Sequence, residues 1–342
     1  MKKKIYIAYT GGTIGMKEVE HNYQPVAGYL QAQMDVIPAF QHPSLPAYTI
    51  NEYDPLLDSS DMTPADWSRI AQDISDNYEE YDGFIVLHGT DTMAYTASAL
   101  SFVLERLNKT VIVTGSQIPL CELRNDAQEN LLTSLLLAAG AFTIPEVCLY
   151  FDGQLLRGCR SVKVNADGFD AFASPNFPPL ATVGVDVKIK RPLIRPTSYR
   201  HPPLRVRPLD EHAVAAFRLF PGITVSLLRS ILQPPLEGLI LETYGAGNAP
   251  TNNPAFLEAL REATDRGVII VNCTQCLSGT VDLEKYAGGV SLADVGVIGG
   301  YDMTAEAALT KLLYLLSGND SPEVVKYKMQ TDLRGELSRD NG

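Results

Sequence analysis

Four short polar segments carry side chains able to do chemistry. In Thr10-Gly11-Gly12-Thr13-Ile14-Gly15, adjacent glycines let the backbone turn sharply and come close to a ligand, presenting the Thr13 hydroxyl where a strand ends. The second segment, His88-Gly89-Thr90-Asp91-Thr92, lies between an apolar run and a helix start. Backbone N–H groups at such a start hold a carboxylate, and the Asp91 carboxylate takes an ammonium, so one loop can grip both ends of an amino-acid zwitterion. Asp58-Ser59-Ser60-Asp61 offers hydroxyls and carboxylates to small polar ligands. Lys163, in Arg160-Ser161-Val162-Lys163-Val164, would lose proton affinity if buried and could then act as a base. Each segment also has a plain structural reading: a glycine turn, helix capping, turn formation and a solvated lysine, respectively.

Other chemistries fit less well. A dinucleotide loop needs G-x-G-x-x-G and a phosphate loop ends in Gly-Lys-Ser/Thr, and the TGGTIG segment is neither. The five histidines (His21, His42, His88, His201, His212) show no ligand spacing, so no metal is expected. Cys273-Thr274-Gln275-Cys276 matches C-x-x-C but lacks a second zinc half-site and does not open a thioredoxin-like unit. Tyr244 to Pro250 forms another glycine turn after a strand, either a contact surface or a plain turn.

The elements that must position these segments follow from periodicity. Lys4–Tyr9 reads as a strand stopping at Gly11-Gly12, and 21–46 shows no sustained period, which predicts a partly mobile loop. Thr63-Pro64 is an N-cap and first turn for a helix towards Tyr78. Strands at Gly83–Leu87 and Thr110–Thr114 alternate with helical patterns at Thr92–Leu107 and Asn125–Ala141, the recurrence of βα units. A proline-rich basic stretch, KIKRPLIRPTSYRHPPLRVRP, marks a linker at 189–212 between domains 1–188 and 213–342. Beyond it, strands near 213–220, 239–243 and 267–272 alternate with helices near 224–233, 254–265 and 304–316.

With 342 residues and 45% hydrophobic content, the chain can bury two cores. Lys+Arg 28 against Asp+Glu 40 leaves a formal charge of −12, which repels phosphate backbones and anionic lipid, so neither nucleic acid nor membrane is an expected partner. No apolar stretch has the length of a membrane span, and the start lacks a signal-peptide pattern, which together predict a soluble, cytoplasmic protein. The five cysteines are odd in number and sit mostly in apolar contexts, as reduced buried thiols do.

TGGTIG, DSSDM, HGTDTM and the lysine of SVKVNADGFDAF, occurring in this order, resemble the bacterial L-asparaginase family, most closely its type I, cytoplasmic branch. The likeness continues through TGSQIPL, FASPN, YGAGNAP, TQCLSG and LRGELS. The resemblance implies an α/β fold: a larger amino-terminal α/β/α domain plus a smaller flavodoxin-like parallel-sheet carboxyl-terminal domain. It also implies a homotetramer, a dimer of dimers with active sites at subunit contacts. Carried over by position, Thr13 is the nucleophile and Tyr23 its activating partner. Thr90 and Asp91 with Lys163 form a second catalytic group, while Asp58, Ser59 and Ser60 grip substrate together with Thr90 and Asp91. Asn248 approaches a neighbouring subunit's site. Some type I relatives are activated by asparagine at a second site that uses an arginine, a threonine and a cysteine. Thr274 and Cys276 match that site here, but Glu242 stands where the arginine would be, which counts against activation.

The activity so implied is hydrolysis of L-asparagine to L-aspartate and ammonia through a β-aspartyl ester on Thr13, with slower L-glutamine hydrolysis and no cofactor. A non-catalytic amino-acid sensor on the same scaffold is the alternative, separated from it by an ammonia-release assay. A nicotinamide-dependent oxidoreductase is disfavoured by the glycine spacing. A purely structural protein is disfavoured because the polar loops follow strands.

Overall fold

The computed structural model describes residues 2–196, 203–284 and 287–338. The chain divides into two compact units, Met1–Pro208 and Leu209–Gly342.

In the first unit, the strands are β1 (Lys4–Gly11), β2 (Met16–Val19), β3 (Asn22–Pro25), β4 (Ala47–Leu57), β5 (Gly83–Leu87), β6 (Leu104–Glu105) and β7 (Thr110–Thr114). They continue with β8 (Val147–Phe151), β9 (Gln154–Arg157), β10 (Val162–Lys163), β11 (Phe172–Ala173), β12 (Ala181–Val183), β13 (Val187–Ile189) and β14 (Arg205–Val206). The helices are α1 (Tyr29–Val36), α2 (Pro64–Asp76), α3 (Met93–Val103) and α4 (Ala127–Ala138). Eight strands form one sheet in the order β13-β12-β9-β8-β7-β5-β1-β4. Its β4, β1, β5, β7 and β8 are parallel, and β9, β12 and β13 extend it antiparallel.

Counted among themselves, the parallel strands run 2-1-3-4-5, the flavodoxin-type order, and the chain changes direction across the sheet between β1 and β5. Every residue of β5 and β7 is buried, as the uninterrupted apolar runs GFIVL and TVIVT require of strands covered on both faces. On one face Ile5, Ile7 and Tyr9 join a core with Leu30 and Met34 of α1 and Leu131 and Leu135 of α4. On the other face the Tyr6 hydroxyl donates to Asp73 of α2 at 2.6 Å. Helix α2 starts as the sequence predicts, with Pro64 in its first turn and a capping box between Thr63 and Asp66.

Two expectations change in this unit. The stretch 21–46 holds β3, most of whose hairpin with β2 is exposed, followed by α1 and a short 3₁₀ turn at Pro38–Gln41. Much of the expected linker 189–212 also belongs to the larger unit: Ile189 ends β13, Leu193 and Ile194 pack on the core, and β14 pairs with β6. The basic residues and prolines suggested a solvated tether, but the aliphatic residues between them are held by burial. Residues 197–202, also expected in the linker, lie outside the described residues.

The second unit contains β15 (Val214–Arg218), β16 (Gly238–Thr243), β17 (Ile269–Thr274) and β18 (Ile298–Gly299). Its helices are α5 (Val225–Ile231), α6 (Pro254–Asp265), α7 (Ala287–Ala293), α8 (Ala305–Leu316) and α9 (Pro322–Met329). The expected parallel sheet is present, its four strands adjacent in chain order. On α8, fully buried Lys311 pairs with fully buried Glu336 at 2.5 Å and donates to the carbonyls of Met329 and Thr331 at 2.9 and 2.6 Å. Among the described residues, no helix is long and apolar enough to cross a membrane.

Candidate active site

The carboxyl ends of β1 and β5 flank the point where strand order reverses, the place where open parallel sheets bind ligands. After β1 the chain passes through Gly11 and Gly12 at φ +140° and +93° into a single 3₁₀ turn, Thr13–Gly15. A side chain at Gly12 would collide with the backbone of His88 and Gly89, its Cβ standing 2.5 Å from the Gly89 nitrogen. A side chain at Gly89 would in turn meet Ser59. Three loops therefore touch through their small residues, and hydrogen bonds fasten them: Thr10 Oγ1 donates to the Leu87 carbonyl at 2.8 Å and Thr92 Oγ1 to the Ser59 carbonyl at 2.6 Å. Thr13, half-buried, stands on the first of these loops, with Ser59 on the second and Thr90 and Asp91 on the third.

Lys163 enters from β10, paired antiparallel with β11. Its amine donates to Thr90 Oγ1 at 2.9 Å and to Asp91 Oδ1 at 2.8 Å, linking the three residues that the sequence groups together. The Lys163 side chain is 20% exposed and that of Asp91 67%, so the ion pair reaches from the protein interior to solvent.

A fourth loop, after β7, supplies a residue that sequence reasoning did not assign. Gln117 Oε1 accepts from Thr90 Oγ1 at 3.2 Å, while its own N–H and that of Ile118 donate to the Asp126 carboxylate at 3.0 to 3.1 Å. Its sequence signals are its position at the end of a neighbouring parallel strand and its place in the TGSQIPL segment of the resemblance.

Asp58 behaves as a cap. Its Oδ1 accepts from the N–H and hydroxyl of Ser60 at 2.9 and 2.8 Å, and those bonds hold its carboxyl below the usual range. Tyr23 lies on the exposed strand β3, which packs against the Thr13–Gly15 turn. Its hydroxyl donates to Glu122 Oε1 at 2.8 Å, and that bond to a carboxylate is the main reason the phenol is pushed up to about 12. Glu122 was not singled out in the sequence. His88 is a structural pillar: wholly buried, it is driven down to about 4 by loss of solvent. Its Nδ1 donates to the Gly89 carbonyl at 2.7 Å. Its Nε2 accepts from Thr96 Oγ1 at 2.8 Å, which itself accepts from Trp67 Nε1 at 2.9 Å.

The other predicted positions belong to the second unit. Asn248 closes a tight backbone loop with Tyr244, its N–H donating to the Tyr244 carbonyl at 2.8 Å. Glu242 is the penultimate residue of β16 and Thr274 the last of β17, Thr274 Oγ1 accepts from the Cys276 N–H at 3.0 Å, and Cys276 is exposed. Burial, with some help from the Glu242 charge, raises the carboxyl of Glu306 on α8.

Hydroxyls, a lysine and a carboxylate gathered at the switch point of a 2-1-3-4-5 sheet define an α/β protein with polar side chains at the edge where such sheets take ligands. Residues 4–195 match the family "Asparaginase, N-terminal" and residues 213–329 the "Glutaminase/Asparaginase C-terminal domain". L-asparaginase 1 of Escherichia coli is 54% identical over 340 residues, spanning 99% of both chains. The crystal structure of L-asparaginase I from Vibrio cholerae superposes with a TM-score of 0.91 at 53% identity, covering 99% of this chain and 100% of that one. The human 60 kDa lysophospholipase is 48% identical, covering 98% of this chain and 62% of its own length. The chain belongs to the asparaginase family and, within it, to the bacterial type I branch.

Proposed function

We propose that the chain hydrolyses L-asparagine to L-aspartate and ammonia, with Thr13 as nucleophile. The observation that carries this reading is the packing of Gly12 on Gly89, which sets the turn bearing Thr13 against the loop bearing Thr90 and Asp91. The Thr13 oxygen adds to the side-chain carbonyl carbon as its proton passes to a base. The C–N bond then breaks, ammonia leaves with a proton, and a β-aspartyl ester remains on Thr13 until water cleaves it. Backbone N–H groups of the glycine turns are suited to the oxyanion. Asp91, tied to Lys163 by one oxygen, has a second oxygen for the substrate ammonium, and Ser59 and Ser60 line the neighbouring loop.

Tyr23 is the proposed relay for the first step, receiving the Thr13 proton on its oxygen as its own passes along its hydrogen bond to the Glu122 carboxylate, and Thr90, held by Lys163, receives an O–H of the water in the second. Glutamine, longer by one methylene, would be a slower substrate, since that difference is usually worth only ~1–3 kcal/mol. No cofactor is invoked. The same reading includes a cytoplasmic homotetramer. Its support here is the exposure of three apolar side chains, Tyr23, Leu123 next to Glu122 and Val164 next to Lys163, which suit cover by another copy. In the second unit, Glu242 in place of a cation argues for hyperbolic, unactivated kinetics and leaves Thr274 and Cys276 without an effector role.

The decisive experiment is ammonia release from asparagine and glutamine and, given the name of the human relative, fatty-acid release from a lysophospholipid, followed by mass spectrometry of the quenched enzyme. A β-aspartyl mass increment on the peptide containing Thr13 supports the proposal. An adduct on another residue, or cleavage of the lipid alone, overturns it.

A further inference from the structure

The Thr90 hydroxyl has one proton to give and two lone pairs to offer. Its proton is directed to Gln117 Oε1 at 3.2 Å, and one lone pair takes the Lys163 amine at 2.9 Å. The orientation of the Gln117 amide is fixed by its other end: Nε2 donates to the carbonyls of Gly168 at 3.1 Å and Ala166 at 3.4 Å. A flipped amide would point its oxygen at two carbonyl oxygens. Those carbonyls are themselves held, because Asn165 Oδ1 accepts from the N–H groups of Asp167 and Gly168 at 3.0 Å and Asn165 Nδ2 donates to Asp170 at 2.7 Å. The base of the Gln117 loop is anchored on Asp126, where the N–H groups of Gln117 and Ile118 both end.

We propose that Gln117 is a positioning residue that turns the Thr90 hydroxyl into a hydrogen-bond acceptor only, so that the site prefers a carboxamide to the matching carboxylate. With its proton committed, Thr90 can receive an N–H from the amide of a substrate but has nothing to give the oxygen of a carboxylate, which then faces a lone pair. The hydrolysis product would be disfavoured at the spot where the amide is welcomed, and its departure eased. This inference rests on the proposed asparagine hydrolysis, in which Thr90 meets the ligand.

The test compares the asparagine KM with the aspartate inhibition constant in the wild type, Gln117→Met and Gln117→Glu, and the dissociation constants of the two ligands, read by calorimetry, in Thr90→Val. Gln117→Met frees the Thr90 proton to turn towards a carboxylate. Aspartate inhibition should tighten about tenfold, the scale of a hydrogen bond to a charged group, while the asparagine KM moves less than about threefold. Gln117→Glu keeps an acceptor oxygen for Thr90 but removes the link to the two carbonyls, so aspartate should stay weak. If Gln117→Met does not fold, Gln117→Ala, which also removes the acceptor from Thr90, decides by the same readout. Unchanged aspartate inhibition in Gln117→Met, equal shifts for both ligands, or tightening in Gln117→Glu would overturn the proposal. If Thr90→Val leaves both constants unmoved, the underlying reading of the site fails with it. If Thr90→Val moves them while Gln117→Met does not, only the role of Gln117 falls.

Discussion

Gly12 and Gly89, on loops 77 residues apart in sequence, meet backbone to backbone, with no room between them for a methyl group. Gly12→Ala adds that methyl at a φ of +93°, where L-residues are strained. We expect a loss of about 2–3 kcal/mol in urea-induced unfolding, and a fall in ammonia release at low denaturant where the protein is still folded. A variant as stable and as active as the wild type would show that the two loops do not need this contact.

Thr13→Ala removes the proposed nucleophile from a half-buried position, so stability should change by no more than about 0.5 kcal/mol. Turnover should fall by at least about 10³-fold. Thr13→Ser, keeping the hydroxyl, should retain measurable ammonia release. Comparable activity in the alanine variant would exclude Thr13 from the chemistry.

The Tyr23 phenol is held protonated because losing its proton would place a phenolate against the Glu122 carboxylate. Glu122→Gln removes that charge, so the Tyr23 titration should move down towards the usual value near 10. Tyrosinate absorbance of the variant, compared with a Tyr23→Phe/Glu122→Gln double variant, reads this group alone. No difference between the two below pH 11 would mean that Glu122 does not govern Tyr23.

His88 is neutral in the folded protein down to about pH 4, whereas in the unfolded chain it takes a proton near 6.5. Between those values the unfolded state binds more protons, so stability rises with pH and is lost on acidification from about 6.5 towards 4. The span corresponds to about 3 kcal/mol. His88→Gln should be less stable at pH 7 but show a shallower decline between pH 7 and 5 in denaturant unfolding. Parallel declines would place the pH sensitivity elsewhere.

What could be read from the sequence tracks burial. The strands at 83–87 and 110–114 and the helix at 254–265 have the bounds expected of them, because core packing writes an unbroken or periodic apolar pattern into the chain. The β2–β3 hairpin leaves no such trace, since its side chains face water. Thr13, Thr90, Asp91 and Lys163 announced themselves by residue type, and the structure joins the last three by hydrogen bonds. Gln117 could not be found this way. It does not titrate, and its orientation depends on carbonyls about fifty residues further along.

The buried ammonium of Lys311 and its counter-charge on Glu336 are separated by a helix and a turn. Until Glu336 has been synthesised, a nascent smaller unit has a cation it cannot bury, and a premature stop or a proteolytic nick between the two leaves the same orphan. Removing one partner of such a pair costs about 3–5 kcal/mol. Fragments ending before Glu336 should therefore be cleared as unfolded chains, making this ion pair a checkpoint on synthesis of the smaller unit through residue 336.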